Sequence, residues 1–123
     1  MSRHSVLIID DDSDFVDEVS ELLSNAGYST ISASGHEEAM DKARNERPDI
    51  VILDIKFAGN GIKTAEELDG GEETSGIPLI VVSGHVDEKL NSELREKTQV
   101  KDVLEKTVLP LDLIASIENN LND

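Results

Sequence analysis

The chain has no cysteine, so neither a disulfide framework nor a thiolate metal site is open to it. No apolar run approaches the roughly 18 residues that a membrane span needs. The opening "MSRHSVLIIDDD" drives a short apolar run into acid, unlike a signal peptide. A soluble, cytoplasmic protein with no membrane contact is therefore expected. Basic residues are also scarce, 11 against 27 acidic ones, for a formal charge of −16. Gripping phosphates takes clustered Lys and Arg, so direct binding of nucleic acid is not expected. The acidity serves solubility, and it also favours divalent cations or basic partner surfaces. No glycine-rich motif followed by lysine is present, so Gly59, Gly61, Gly70 and Gly71 read as flexible turns and not as a phosphate cradle. His4, His36 and His85 lack ligand spacing and read as solvated surface residues.

What is there is a regular alternation. The 123 residues suit a single domain spanning 1–123, and 37% of them are apolar. "SVLII" (5–9), "IVIL" (50–53) and "PLIVVS" (78–83) are continuous apolar runs, as strands covered on both faces should be. "YSTISA" (28–33) alternates weakly, like an edge strand, and "KDVLEK" (101–106) is a weaker fifth strand. Between them lie helical patterns. From Ser13, expected as an N-cap, the apolar positions Phe15, Val16, Val19, Leu22, Leu23 and Ala26 follow helical spacing, with Gly27 at the C′ position. Ser34 and Glu37 have capping-box spacing before Ala39, Met40 and Ala43, and Pro48 ends that helix. "GIKTAEEL" (61–68) reads as a short helix, and "DEKLNSELREKT" as a marginal one with only Leu90 and Leu94 in register. Pro110 opens a last helix that stacks Leu113, Ile114, Ile117 and Leu121. Five β-α units imply an α/β fold, a parallel five-stranded sheet doubly wound with helices on both faces. Such sheets bind ligands beyond the carboxyl ends of their strands.

Those ends carry Asp10, Asp11 and Asp12 after the first strand and Asp54 after the third, with Ser83 after the fourth and Lys106 after the fifth. Adjacent carboxylates repel, and burying one without a partner is costly. Oxygen-only ligands suit a hard cation such as Mg²⁺, which would relieve the repulsion. A carboxylate, a hydroxyl, a lysine and Mg²⁺ also make a kit for phosphoryl transfer onto an aspartate.

The motifs "LIIDDD", "PDIVILDI", "PLIVVSG" and "VLEK", in this order and spacing, make the chain resemble the receiver domains of two-component response regulators. The resemblance covers essentially the whole chain and implies a flavodoxin-like (β/α)5 receiver fold with the matching strand order. It implies that Asp54 is the phosphoacceptor, served by a sensor histidine kinase, a phosphotransfer protein or a small phosphodonor. Asp11 and Asp54 would bind Mg²⁺ directly, with Asp10 nearby through water and the Lys56 main-chain carbonyl completing the protein's ligands. Lys106 would pair with a phosphoryl oxygen, and the Ser83 hydroxyl would swing in to signal its presence. Lys56 and His85 would tune how fast water removes the phosphate. Self-phosphorylation and slow loss of phosphate are expected, without turnover of a separate substrate. Dimerisation through the last strand and two helices, common in that family, makes a homodimer one expectation.

The chain departs from the family pattern at several points. Thr107 stands where a proline, commonly in a cis bond, follows the lysine, so Lys106–Thr107 is expected to be trans. Val103 replaces an aromatic residue that reports the hydroxyl's movement. The loop "KFAGNGIK" lacks a proline and is about one residue short, so the third helix is expected to fray. "KTQV" replaces a small-residue turn before the last strand. These departures motivate a rival reading, a pseudo-receiver that binds partners without a phosphate cycle. A second rival is a Mg²⁺-dependent hydrolase using Asp10 and Asp12, two residues apart on one strand end. Asp10, Asp12, Asp14 and Glu21 also match EF-hand places one, three, five and twelve, but Phe15 stands where glycine is needed and a strand precedes. Asp12 and Asp14 read better as acids at a helix N-terminus.

Overall fold

The computed structural model describes residues 4–55, 61–84, 88–97 and 99–121. Strands β1 (Ser5–Ile9), β2 (Ser29–Ala33), β3 (Ile50–Asp54), β4 (Leu79–Ser83) and β5 (Val100–Glu105) alternate with helices α1 (Ser13–Asn25), α2 (His36–Glu46), α3 (Gly61–Gly70), α4 (Glu88–Arg95) and α5 (Pro110–Leu121). All four strand pairings are parallel, in the order β2-β1-β3-β4-β5. The chain reverses its direction of winding between β1 and β3, so a crevice opens there beyond the strand ends.

The continuous apolar runs are explained by two separate cores. Leu7, Ile9, Val51, Leu53, Leu79 and Val81 face one side of the sheet, packed with Ala39, Met40 and Ala43 of α2, Ala65 and Leu68 of α3, and Leu94 of α4. Val6, Ile8, Ile50, Ile52, Ile80 and Val82 face the other, against Val19 and Leu23 of α1 and Leu113 and Ile117 of α5. Successive strand residues point to opposite faces, so each central strand must be apolar at every position. The outer strands need less. β2 is an edge, as its weak alternation implied, and Lys42 Nζ donates to the Ser32 carbonyl there at 2.6 Å. β5, the other edge, meets β4 with a register irregularity between Leu79 and Ile80.

The helix ends differ from the expected ones in ways that local chemistry explains. Asp12, one residue before Ser13, caps α1: its carboxylate accepts from the Asp14 and Phe15 amides. A carboxylate is a stronger acceptor than a hydroxyl and suits the positive end of the helix dipole. Gly27 takes the left-handed conformation (φ 99°) expected after that helix. At α2 the N-cap is Gly35, with no side-chain cap, and the Ser34 amide donates to Glu38 instead of Glu37 at 2.9 Å. That bond, followed by Lys42, holds the Glu38 carboxyl below its ordinary value. α2 stops at Glu46, just before Pro48. α3 runs two residues beyond the expected Leu68, and α4 is the short helix that its sparse leucines predict.

The reading of Gly61 as a flexible turn needs correction. It is buried at the start of α3, and a Cβ there would collide with the Ile55 carbonyl. Only glycine lets α3 begin this close to the residue that follows Asp54. His36 is likewise no solvated surface residue. Its Nδ1 lies 2.6 Å from Thr64 Oγ1 and its Nε2 3.2 Å from Glu67 Oε2, tying α2 to α3. The contacts span 28 and 31 residues of chain, beyond the reach of local pattern. His4 is exposed, and His85 lies outside the described residues, as does Gly59.

Ile52 is essentially sealed inside its core, whereas Leu111 is 79% exposed. Ile52→Ala should therefore cost about 2–5 kcal/mol of unfolding free energy, and Leu111→Ala within about 0.5 kcal/mol. Chemical denaturation of the two variants measures the contrast.

Candidate functional site

The alternation that builds the cores also builds the site. Continuing the Val6–Ile8 series one step gives Asp10, and continuing Ile50–Ile52 gives Asp54. Leu104 packs on the same core, and Lys106 is the next residue of its series. Three side chains far apart in sequence thus leave the sheet on the α1–α5 face, at the carboxyl ends of the parallel strands. Asp10 and Asp54 are only 2% and 9% exposed.

Carboxylate oxygens of Asp10, Asp11 and Asp54 lie within 4.8 Å of one another, with Asp11 on the exposed side. Lys106 Nζ is 2.9 Å from Asp10 Oδ2 and 3.7 Å from Asp54 Oδ2. The Lys106 side chain is half-buried, and its ammonium lies over the Phe15 ring, 4.3 Å from the centroid. Burial alone would push the Lys106 pKa down. The hydrogen bond and charge of Asp10, with Asp54 and Asp12 behind, outweigh burial and hold it above the ordinary lysine value.

Asp10 is engaged at both oxygens, Oδ1 accepting from the Asp12 amide at 3.0 Å and Oδ2 from Lys106. The donor set consists entirely of oxygens, and two of its carboxylates are nearly sealed from water. That combination fits a hard dication such as Mg²⁺.

Four of the expected site residues therefore meet in space: Asp10, Asp11, Asp54 and Lys106. Ser83 ends β4 fully buried, and its carbonyl accepts the Lys106 amide at 2.7 Å. By the strand's alternation its side chain follows Leu79 and Val81 toward the α2–α3–α4 face, opposite to Val82. The Lys56 carbonyl and the His85 side chain lie outside the described residues. Asp12 is occupied in capping α1, so the hydrolase pairing of Asp10 with Asp12 has no support from the geometry.

The peptide bond Lys106–Thr107 is cis, against the expected trans. The tertiary structure holds Lys106 at both ends, its amide on Ser83 and its ammonium on Asp10. Phe15 is the site residue that sequence reasoning missed: it reads as an apolar position of its helix and as the residue that breaks an EF-hand match, not as a neighbour of Lys106. Its position three residues after Asp12 was the available signal.

Comparison with known proteins agrees with this fold. The response regulator receiver domain family matches residues 6–118, and the chain belongs to that family. Protein PilH of Pseudomonas aeruginosa is 29% identical over 113 residues, covering 91% of this chain and 93% of PilH. The DNA-binding response regulator MtrA of Mycobacterium tuberculosis is 27% identical over 120 residues, 97% of this chain but only 51% of MtrA. Among solved structures, a CheY-like response regulator receiver domain protein from Methanospirillum hungatei superposes with a TM-score of 0.90 at 25% identity, covering 98% of this chain and 95% of that one. The receiver domain of sensor histidine kinase PA1611 from Pseudomonas aeruginosa shares the fold, with a TM-score of 0.88 at 15% identity over 99% of this chain and all of that one. That structure holds a magnesium ion in its active-site cleft.

The raised Lys106 pKa has a definite consequence for stability. A lysine whose pKa is higher folded than unfolded stabilises the fold fully below the unfolded value, about 10.4, and loses that contribution as pH rises through the folded value. Wild type should therefore exceed Lys106→Met in stability by a constant margin from pH 7 to about 10 and lose the margin above that. Denaturant titrations of both proteins across this range check the sign.

Proposed function

We propose that residues 1–123 form a single phosphoacceptor receiver domain, phosphorylated on Asp54 in a Mg²⁺-dependent reaction and switching a partner or output domain. The observation that carries the reading is the convergence of three carboxylates and one ammonium from the ends of β1, β3 and β5 on a single point.

Receiver domains of response regulators interact with histidine kinases or phosphotransfer proteins, and such a protein is the expected donor here. An Asp54 oxygen forms a bond to the donor's phosphorus, and the bond from phosphorus to the donor breaks with its electron pair leaving on the donor. Asp11 and Asp54 would bind Mg²⁺ directly, as the family resemblance implies, and both belong to the cluster whose carboxylate oxygens lie within 4.8 Å. Asp10 would then act through water, and the Lys56 carbonyl would complete the protein's ligands. A bound Mg²⁺ supplies positive charge against the phosphoryl oxygens. The Lys106 ammonium, held between Asp10 and Asp54, donates to a phosphoryl oxygen and stabilises the new charge. Ser83 shares a backbone hydrogen bond with Lys106, so a hydroxyl drawn toward the phosphoryl group would move the ends of β4 and β5 together. Phosphate adds charge and strong acceptors, and so biases two arrangements of those loops. His85 and Lys56 would flank the phosphate and set its lifetime.

The same reading has the domain turn over no separate substrate and work in the cytoplasm, where its kinase delivers phosphate. A chain this acidic would leave DNA to any attached module, and a homodimer would form through α4, β5 and α5. Among the described residues no helix is long and apolar enough to cross a membrane.

Incubation with acetyl phosphate and Mg²⁺ should add one phosphate to the intact mass of the wild type. Asp54→Asn should add none, and chelation should abolish uptake. A folded wild type that takes no phosphate yet binds a partner would overturn this reading in favour of an interaction module.

A further inference from the structure

We propose that Phe15 is a positioning residue for the phosphotransfer site, holding the Lys106 ammonium on Asp10 and Asp54 through the face of its ring. The inference rests on the phosphoacceptor reading of Asp54 and extends it to a residue on α1.

The residues form a closed circuit. Asp10 Oδ1 accepts from the Asp12 amide at 3.0 Å, and Asp12 Oδ1 accepts from the Phe15 amide at 3.3 Å. The Phe15 ring lies 4.3 Å from Lys106 Nζ, and Lys106 Nζ returns to Asp10 Oδ2 at 2.9 Å. The N-cap that starts α1 therefore also sets where the ring stands relative to the acid cluster. Distance and partial burial put the contact within cation–π range, where the ring's negative face attracts an ammonium.

Confinement matters because Lys106 has other places to go. Its stem is long and freely rotating. Beside it, between α1 and residues 107–110, runs a groove of about 530 Å³ whose lining includes the carboxylates of Asp12, Asp14, Glu18 and Glu21. Each of these could draw the ammonium away from the phosphoryl position. Phe15 lines the same groove as Lys106, and its ring offers the ammonium an attractive apolar face at 4.3 Å. An aliphatic residue of similar bulk would fill the space and hold the charge less well.

The test is a double-mutant cycle with an independent spectroscopic readout. Phosphate uptake from acetyl phosphate with Mg²⁺ is timed for wild type, Phe15→Leu, Phe15→Tyr, Lys106→Met and Phe15→Leu/Lys106→Met. The Lys106 side-chain signals are followed by NMR for a ring-current shift, which does not depend on phosphate uptake. The expected result has three parts. Phe15→Leu slows uptake about three- to tenfold, the size of one partly desolvated cation–π contact. Phe15→Tyr, which keeps the ring, restores the rate and the shift. In the Lys106→Met background Phe15→Leu has no further effect. An unshifted Lys106 signal in the wild type overturns the contact. A rate unchanged by Phe15→Leu, or slowed equally with and without Lys106, overturns positioning and leaves Phe15 as packing. A wild type that takes no phosphate overturns the reading of Asp54 itself, and the Lys106 signal still decides whether the ring holds the ammonium.

Discussion

The ammonium of Lys106 is the group on which the site depends. Asp10 and Asp54 are almost sealed from water, and Asp11 adds a third charge within 4.8 Å. Like charges so arranged repel one another across the ends of β1 and β3. A single cation 2.9 Å from one acid and 3.7 Å from another removes much of that cost in the absence of a metal. It must reach across from β5, on the far side of β4 from β3, so the parallel sheet has to be complete before the acids are safe. A dication would address the same excess of negative charge, so lysine and metal share one electrostatic task.

The surroundings of the site are as tightly specified as its charges. Asp54 is followed by Ile55, and α3 begins at Gly61 against the Ile55 carbonyl, an approach that no side chain permits. Two positions after Asp10 stands Asp12, whose carboxylate starts α1. Lys106 follows β5 with its amide on Ser83. Each functional residue is thus one or two positions from a backbone constraint that aims it. The departures from the family pattern at Val103 and Thr107 fall on β5 and directly after Lys106, the residue that meets the acids of β1 and β3.

Much of this was legible in the residue string, for identifiable reasons. Three central strands buried on both faces must be apolar throughout, so "SVLII", "IVIL" and "PLIVVS" announced themselves, and the acid or hydroxyl ending each run marked a site. The weak strands were weak because they are edges. The misreadings share a different cause. Ser13 and Glu37 were each one residue from the group that makes the bond, because spacing alone cannot choose between neighbouring acceptors. His36 and Gly61 took their meaning from α3 and Ile55, and Phe15 from a lysine 91 positions along (106 − 15).

Pattern and chemistry along the chain by themselves determined the five β-α units, the parallel sheet and the acids waiting at its carboxyl end, since periodicity and strand-end residues are local properties. The tertiary structure alone decided which oxygen of Asp10 meets Lys106, that Lys106–Thr107 is cis, that the Phe15 ring backs the ammonium and that Gly61 must lack a side chain. Those are contacts between elements remote in sequence. Their geometry exists only once two cores have closed on opposite faces of one sheet and brought the ends of its strands to a common point.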